Sequence, residues 1–131
     1  VPVVARNIPA DFDIDGFLRI AKLNFVRLQA ANDARNFDDL REFLAPELFA
    51  EVKMQMEERG MAPQVTDVLS LNAELLEVVS EPSRHVASVR FSGMISESAG
   101  AAADSFDEVW NLVKPAAGNR GWQVAGIQQL S

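Results

Sequence analysis

At 131 residues the chain has the size of one domain, long enough to bury roughly two thirds of the surface its unfolded form exposes. It contains no Cys, which excludes disulfides and thiolate metal sites but leaves the compartment open. Its 19 acidic and 12 basic side chains leave a formal charge of −7, which repels a polyphosphate backbone and argues against a nucleic-acid partner.

Residues 1 to 13 hold two prolines and close on Asp11-Phe12-Asp13, the pattern of an extended lead-in that runs into a helix start. The first residues lack the basic-then-apolar order of a secretory signal, and no apolar run approaches the roughly 18 residues of a membrane span. Because the chain opens on Val, residues 1–13 are expected to be the end of an upstream linker in a longer protein, with 14–131 as a single domain.

From residue 14 to about 31, Ile14, Phe17, Leu18, Ala21, Phe25 and Leu28 recur at the 3.6-residue period of an amphipathic helix. Asn36 suits the cap of a second, short helix through Leu44, with Asp38 and Asp39 in its first turn. Pro46 suits the first position of a third helix, which carries Phe49, Val52 and Met56 and stops at Arg59-Gly60.

After Pro63 the period changes to two. Leu69, Leu71, Ala73 and Leu75 alternate with polar residues in a first strand, and Glu81-Pro82-Ser83 turns the chain. His85, Ala87, Val89, Phe91, Gly93 and Ile95 give the second strand one apolar face. Residues 106–114 and 121–129 read as a hairpin, with Phe106, Trp110 and Leu112 on one parity and Trp122 opening the return. Helices followed by a four-stranded antiparallel meander predict an α+β fold, a strongly curved sheet wrapped on a helix to leave an apolar, cone-shaped pocket. Phe91, Phe106, Glu108, Trp110 and Trp122 are its expected lining.

The strings Phe106-Asp107-Glu108-Val109-Trp110 and Gly121-Trp122-Gln123-Val124-Ala125-Gly126-Ile127-Gln128 carry a family likeness. So do Leu71-Asn72-Ala73-Glu74-Leu75 and Ala87-Ser88-Val89-Arg90-Phe91-Ser92-Gly93. Over about residues 12 to 130 the chain resembles the Tim44-like domain, the C-terminal domain of a peripheral subunit of the mitochondrial inner-membrane import translocase, found also in bacterial membrane proteins. The resemblance implies a fold similar to the nuclear-transport-factor-two superfamily and a non-enzymatic role at an inner membrane, peripheral or tethered through upstream sequence; the sequence holds no phosphate-binding glycine loop or dinucleotide fingerprint, and no cofactor is expected. It implies acidic phospholipid or a polypeptide as partner. The segment that docks chaperone and channel in the mitochondrial members lies upstream of this domain, so those partners are not assigned to it.

Single residues sharpen these expectations. Within residues 17–31 the basic side chains are Arg19, Lys22 and Arg27 and there is no acid, which makes the helix a candidate for a lipid headgroup layer. The competing reading is a core helix with a solvated basic face. Glu108 shares the parity of Phe106 and Trp110 and could place a carboxyl in the cone, as isomerases and hydratases on related cones do, with His85 as a possible companion. Against this stands a salt bridge to Arg90 or a rim position. His85, the one histidine, has no Cys, His or carboxylate cluster near it in sequence to make a metal site. Asp11, Asp13 and Asp15 lack the Gly and Glu of a calcium loop and suit a helix start. Met54, Met56 and Met61 suit core gaps or an adaptable groove. A third possibility is an oligomerising module that pairs as a homodimer.

Overall fold

The computed structural model describes residues 12–60, 65–97, 102–118 and 121–130. Three helices, α1 (Ile14–Ala34), α2 (Phe37–Phe43) and α3 (Pro46–Arg59), precede four strands, β1 (Asp67–Ser80), β2 (Arg84–Ser96), β3 (Asp104–Pro115) and β4 (Gln123–Gln129). The strands form one antiparallel sheet in the order β1-β2-β3-β4, curled but not closed, with the helices packed on it.

Local chemistry sets the helix ends. The Asp13 carboxylate caps α1 by accepting from the Gly16 N–H at 3.0 Å, and the Asn36 side chain caps α2 by accepting from the Asp39 N–H at 3.1 Å. α1 stops at Arg35, whose φ of 56° is left-handed and whose guanidinium donates to the Met56 carbonyl at 3.0 Å, tying α1 to α3. Pro46 opens α3, and just before it the Ala45 N–H donates to the Val124 carbonyl at 2.8 Å, which fastens the α2–α3 joint to β4.

Phe17, Ala21, Phe25 and Leu28 on α1 are buried against the sheet. Phe25 sits at the centre, its ring 5.0 Å from Phe91, 5.2 Å from Phe106 and 5.2 Å from Trp110, while Phe17 meets Trp122 edge-on at 5.0 Å. The core-facing strand residues Ala87, Val89, Phe91, Trp110, Leu112 and Val124 are fully buried, in agreement with the alternation read from the sequence.

In β1 that alternation breaks. The pairing jumps from Val68↔Ile95 to Ser70↔Met94, so Leu69 is an extra, bulged residue and is 58 % exposed. Val68, not Leu69, joins Leu71, Ala73 and Leu75 against the core, and a second jump between Leu75 and Glu77 then brings in Val78. Gly93 answers the first bulge. A Cβ there would lie 2.1 Å from the Ser70 carbonyl oxygen, and its φ of +155° already disfavours a side chain.

Candidate functional site

Glu108 and Trp110 are two apart on β3 and so share its core face. Trp110 is fully buried, and its indole Nε1–H donates to Glu108 Oε1 at 2.8 Å, which gives the buried donor its acceptor. Beyond Trp110, Glu108 lines a cavity of about 380 Å³ between α1, α3, β3 and β4. Phe25, Leu28, Leu48, Val52, Phe106 and Ile127 form its apolar side, Gln29, Asn32, Gln55 and Gln129 add amides, and among the described residues the charged ones that line it, Glu51, Glu97 and Glu108, are all acidic. Burial pushes the Glu108 carboxyl above the ordinary carboxylate range, and the indole hydrogen bond offsets part of that rise.

The expected pocket residues therefore separate. Phe106 and Glu108 line this cavity, Phe91 and Trp110 lie wholly inside the core behind it, and Trp122 lies elsewhere. Trp122 borders a second cavity of about 710 Å³ at the α1–α2–β4 junction, together with Asn24, Arg27, Arg41, Phe43 and Lys114. Arg27 is held there: its Nε lies 3.1 Å from both carboxylate oxygens of Asp39, its NH2 also meets Asp39, and its guanidinium sits 4.5 Å from the Phe43 ring centroid. The hydrogen bond from Arg27 is the main cause that holds the Asp39 carboxyl below its usual range.

Arg90 is not the partner of Glu108. It donates to Asp107 at 2.8 Å on the opposite face of the sheet, and this bond holds the Asp107 carboxyl below its usual range. His85 stands opposite Lys114 in register whereas Glu108 stands opposite Phe91, a separation of roughly 20 Å along the strands, so the two do not converge. His85 Nδ1 instead meets Ser80 Oγ at 3.0 Å near the β1–β2 turn. Asp13 is engaged as the α1 cap and Asp15 lies in its first turn, while Asp11 falls outside the described residues. Met56 is a core residue, Met54 is exposed on α3, and Met61 falls outside the described residues.

A family model described as the Tim44-like domain matches residues 3–129. The chain belongs to the Tim44-like domain family. No curated protein matches it. The family is generally non-catalytic, and membership suggests a translocation-related domain associated with an inner membrane. Among the described residues, no helix of this Tim44-like domain is long and apolar enough to cross a membrane.

The α1 helix of the Tim44-like domain is apolar on more than its core stripe. Ile20, Leu23 and Val26 are 46 %, 64 % and 47 % exposed, and Arg19 and Lys22 stand exposed among them. The core periodicity of Phe17, Ala21, Phe25 and Leu28 explains none of these three residues. An apolar count taken over the remaining arc of the helix would have found them. Arg41 and Lys114 escaped the sequence reading because only the fold brings α2 and the end of β3 beside Arg27.

Proposed function

We propose that this Tim44-like domain is a non-enzymatic, membrane-associated binding module, accessory to protein translocation or envelope protein handling at an inner membrane. It engages acidic phospholipid through the outer face of α1. The observation that supports this reading is the set of exposed apolar side chains Ile20, Leu23 and Val26 set among Arg19 and Lys22. A helix lying in the headgroup layer buries such apolar groups at the acyl boundary while its basic groups meet lipid phosphates.

Magnitudes make the attachment weak and reversible. Three half-exposed aliphatic side chains contribute about 1 kcal/mol each, half of full burial. Two basic groups near an anionic surface add about 1 kcal/mol apiece. The sum of about 5 kcal/mol corresponds to a dissociation constant between millimolar and micromolar. The excess of acids elsewhere, −7 over the chain, opposes it, so a tether or a second contact is needed for stable residence. The bidentate hold of Asp39 on Arg27 makes that arginine the least available of the three basic residues on α1.

Co-sedimentation with vesicles tests the reading. Binding to acidic vesicles that fades between low and moderate salt, with little binding to neutral ones, is the expected result. Equal failure on both vesicle types would overturn it.

A further inference from the structure

The cavity beside Glu108 differs in chemistry from the basic outer face of α1. One side of the cavity is apolar and the rest carries amides and carboxylates, its volume of about 380 Å³ lies in the range of small-ligand sites, and among the described residues no Lys or Arg lines it. Glu108 is the one partly buried carboxylate among the described lining residues, which also include the amides Gln29, Asn32, Gln55 and Gln129. One carboxylate oxygen is taken by the Trp110 indole, and among the described residues the other accepts no hydrogen bond. A carboxylate partly withdrawn from water beside an apolar wall, with one open oxygen, gains most from a cation that brings hydrogen-bond donors and its own apolar body.

We propose that this cavity binds a primary ammonium group carried on an apolar stem, with Glu108 as its counter-ion. The stem lies against Phe106, Leu48 and Val52, and the ammonium donates to the free oxygen of Glu108. Glu51 and Glu97, both exposed, add negative potential and disfavour anionic amphiphiles. An alcohol of the same length would fill the wall but leave the carboxylate without its counter-ion. Two sources offer this chemistry, a free alkylamine and a lysine side chain of a polypeptide. The inference rests on the binding-module reading of the domain and not on its attachment to a membrane.

Titration calorimetry on the whole chain with octylammonium, octanol and octanoate tests it. The expected order is octylammonium at least tenfold tighter than octanol, with octanoate not binding. Glu108→Gln keeps an acceptor for the Trp110 indole, so the fold is retained. It is expected to weaken octylammonium tenfold or more while leaving octanol unchanged. Octanoate or octanol binding as well as octylammonium, or an unchanged octylammonium affinity in Glu108→Gln, would overturn the proposal. A capped leucine-lysine peptide and its norleucine counterpart distinguish the sources: a lysine peptide that outcompetes octylammonium assigns the polypeptide, and the reverse order assigns the free amine. Vesicle binding by Glu108→Gln reads the membrane proposal separately, since that variant leaves α1 intact.

Discussion

The indole N–H of Trp110 and the carboxylate of Glu108 form a hydrogen bond of 2.8 Å between neighbours on one face of β3, at the boundary between core and cavity. Trp110 is fully buried, so this bond is its means of satisfying a donor that water cannot reach. The same bond holds an acidic group where burial disfavours its charge.

Removing the acceptor is therefore costlier than removing the charge. Glu108→Ala is expected to destabilise the domain by about 1–3 kcal/mol, the cost of an orphaned buried donor, whereas Glu108→Gln retains the acceptor and is expected to be neutral or stabilising at pH 7. Chemical denaturation of both variants checks the contrast.

The sign of the pH dependence follows. With its pKa raised, the folded state holds the Glu108 proton at pH values where the unfolded chain has released it. Stability contributed at this position is present below the ordinary carboxylate pKa and is lost as pH rises through the raised value. Asp39 and Asp107, held low by their arginines, act in the opposite direction and contribute stability that is lost as pH falls through their depressed values. The stability of wild type relative to Glu108→Gln, measured from pH 4 to 8, is expected to fall as pH rises above about 4.3, the ordinary glutamate value. A flat difference would contradict the burial of this carboxyl.

Gly93→Ala is expected to be among the most damaging small substitutions. Its Cβ would overlap the Ser70 carbonyl at 2.1 Å where the β1 bulge crosses β2, and backbone of neighbouring strands cannot give way cheaply. A loss on the order of 3 kcal/mol is expected in denaturant titration.

Much of this arrangement was legible beforehand. The start of α1 after Asp13, the cap Asn36, Pro46 at the head of α3, and the core parities of β2 and β3 follow from local chemistry and period, which act within a few residues. Leu69 was misplaced because a bulge shifts parity through the pairing of β1 with β2, and no pattern within β1 encodes its partner's register. The site was less legible for the same reason. The parity of Glu108 pointed correctly to the core face, but Leu48, Val52 and Ile127, which turn that face into a cavity wall, arrive from α3 and β4. Arg90 went to Asp107 because side chains one apart on a strand face opposite ways, a distinction that proximity in sequence conceals.

Phe25→Ala removes the ring that joins Phe91, Phe106 and Trp110 and is expected to cost roughly 3–5 kcal/mol, a large fraction of the about 5–15 kcal/mol typical of a folded domain. Thermal unfolding followed by near-ultraviolet dichroism reports the loss, since these rings supply much of that signal.

The basic residues of α1 are expected to divide. Arg19→Glu combined with Lys22→Glu should abolish association with acidic vesicles. Arg27→Ala should reduce it far less, because the Arg27 guanidinium is engaged by Asp39 and Phe43. Vesicle co-sedimentation of the variants at equal salt checks the difference.

The most direct test of membrane engagement uses the absence of Cys from the chain. A single cysteine at Leu23, the most exposed of the three outward-facing aliphatic positions on α1, carries an environment-sensitive fluorophore, and one at Ser83 in the β1–β2 turn serves as control. Addition of acidic vesicles should blue-shift and brighten the label at position 23 and leave that at position 83 unchanged. An unaltered spectrum at position 23 in vesicles that nonetheless capture the protein would show that another surface makes the contact, and would contradict the account.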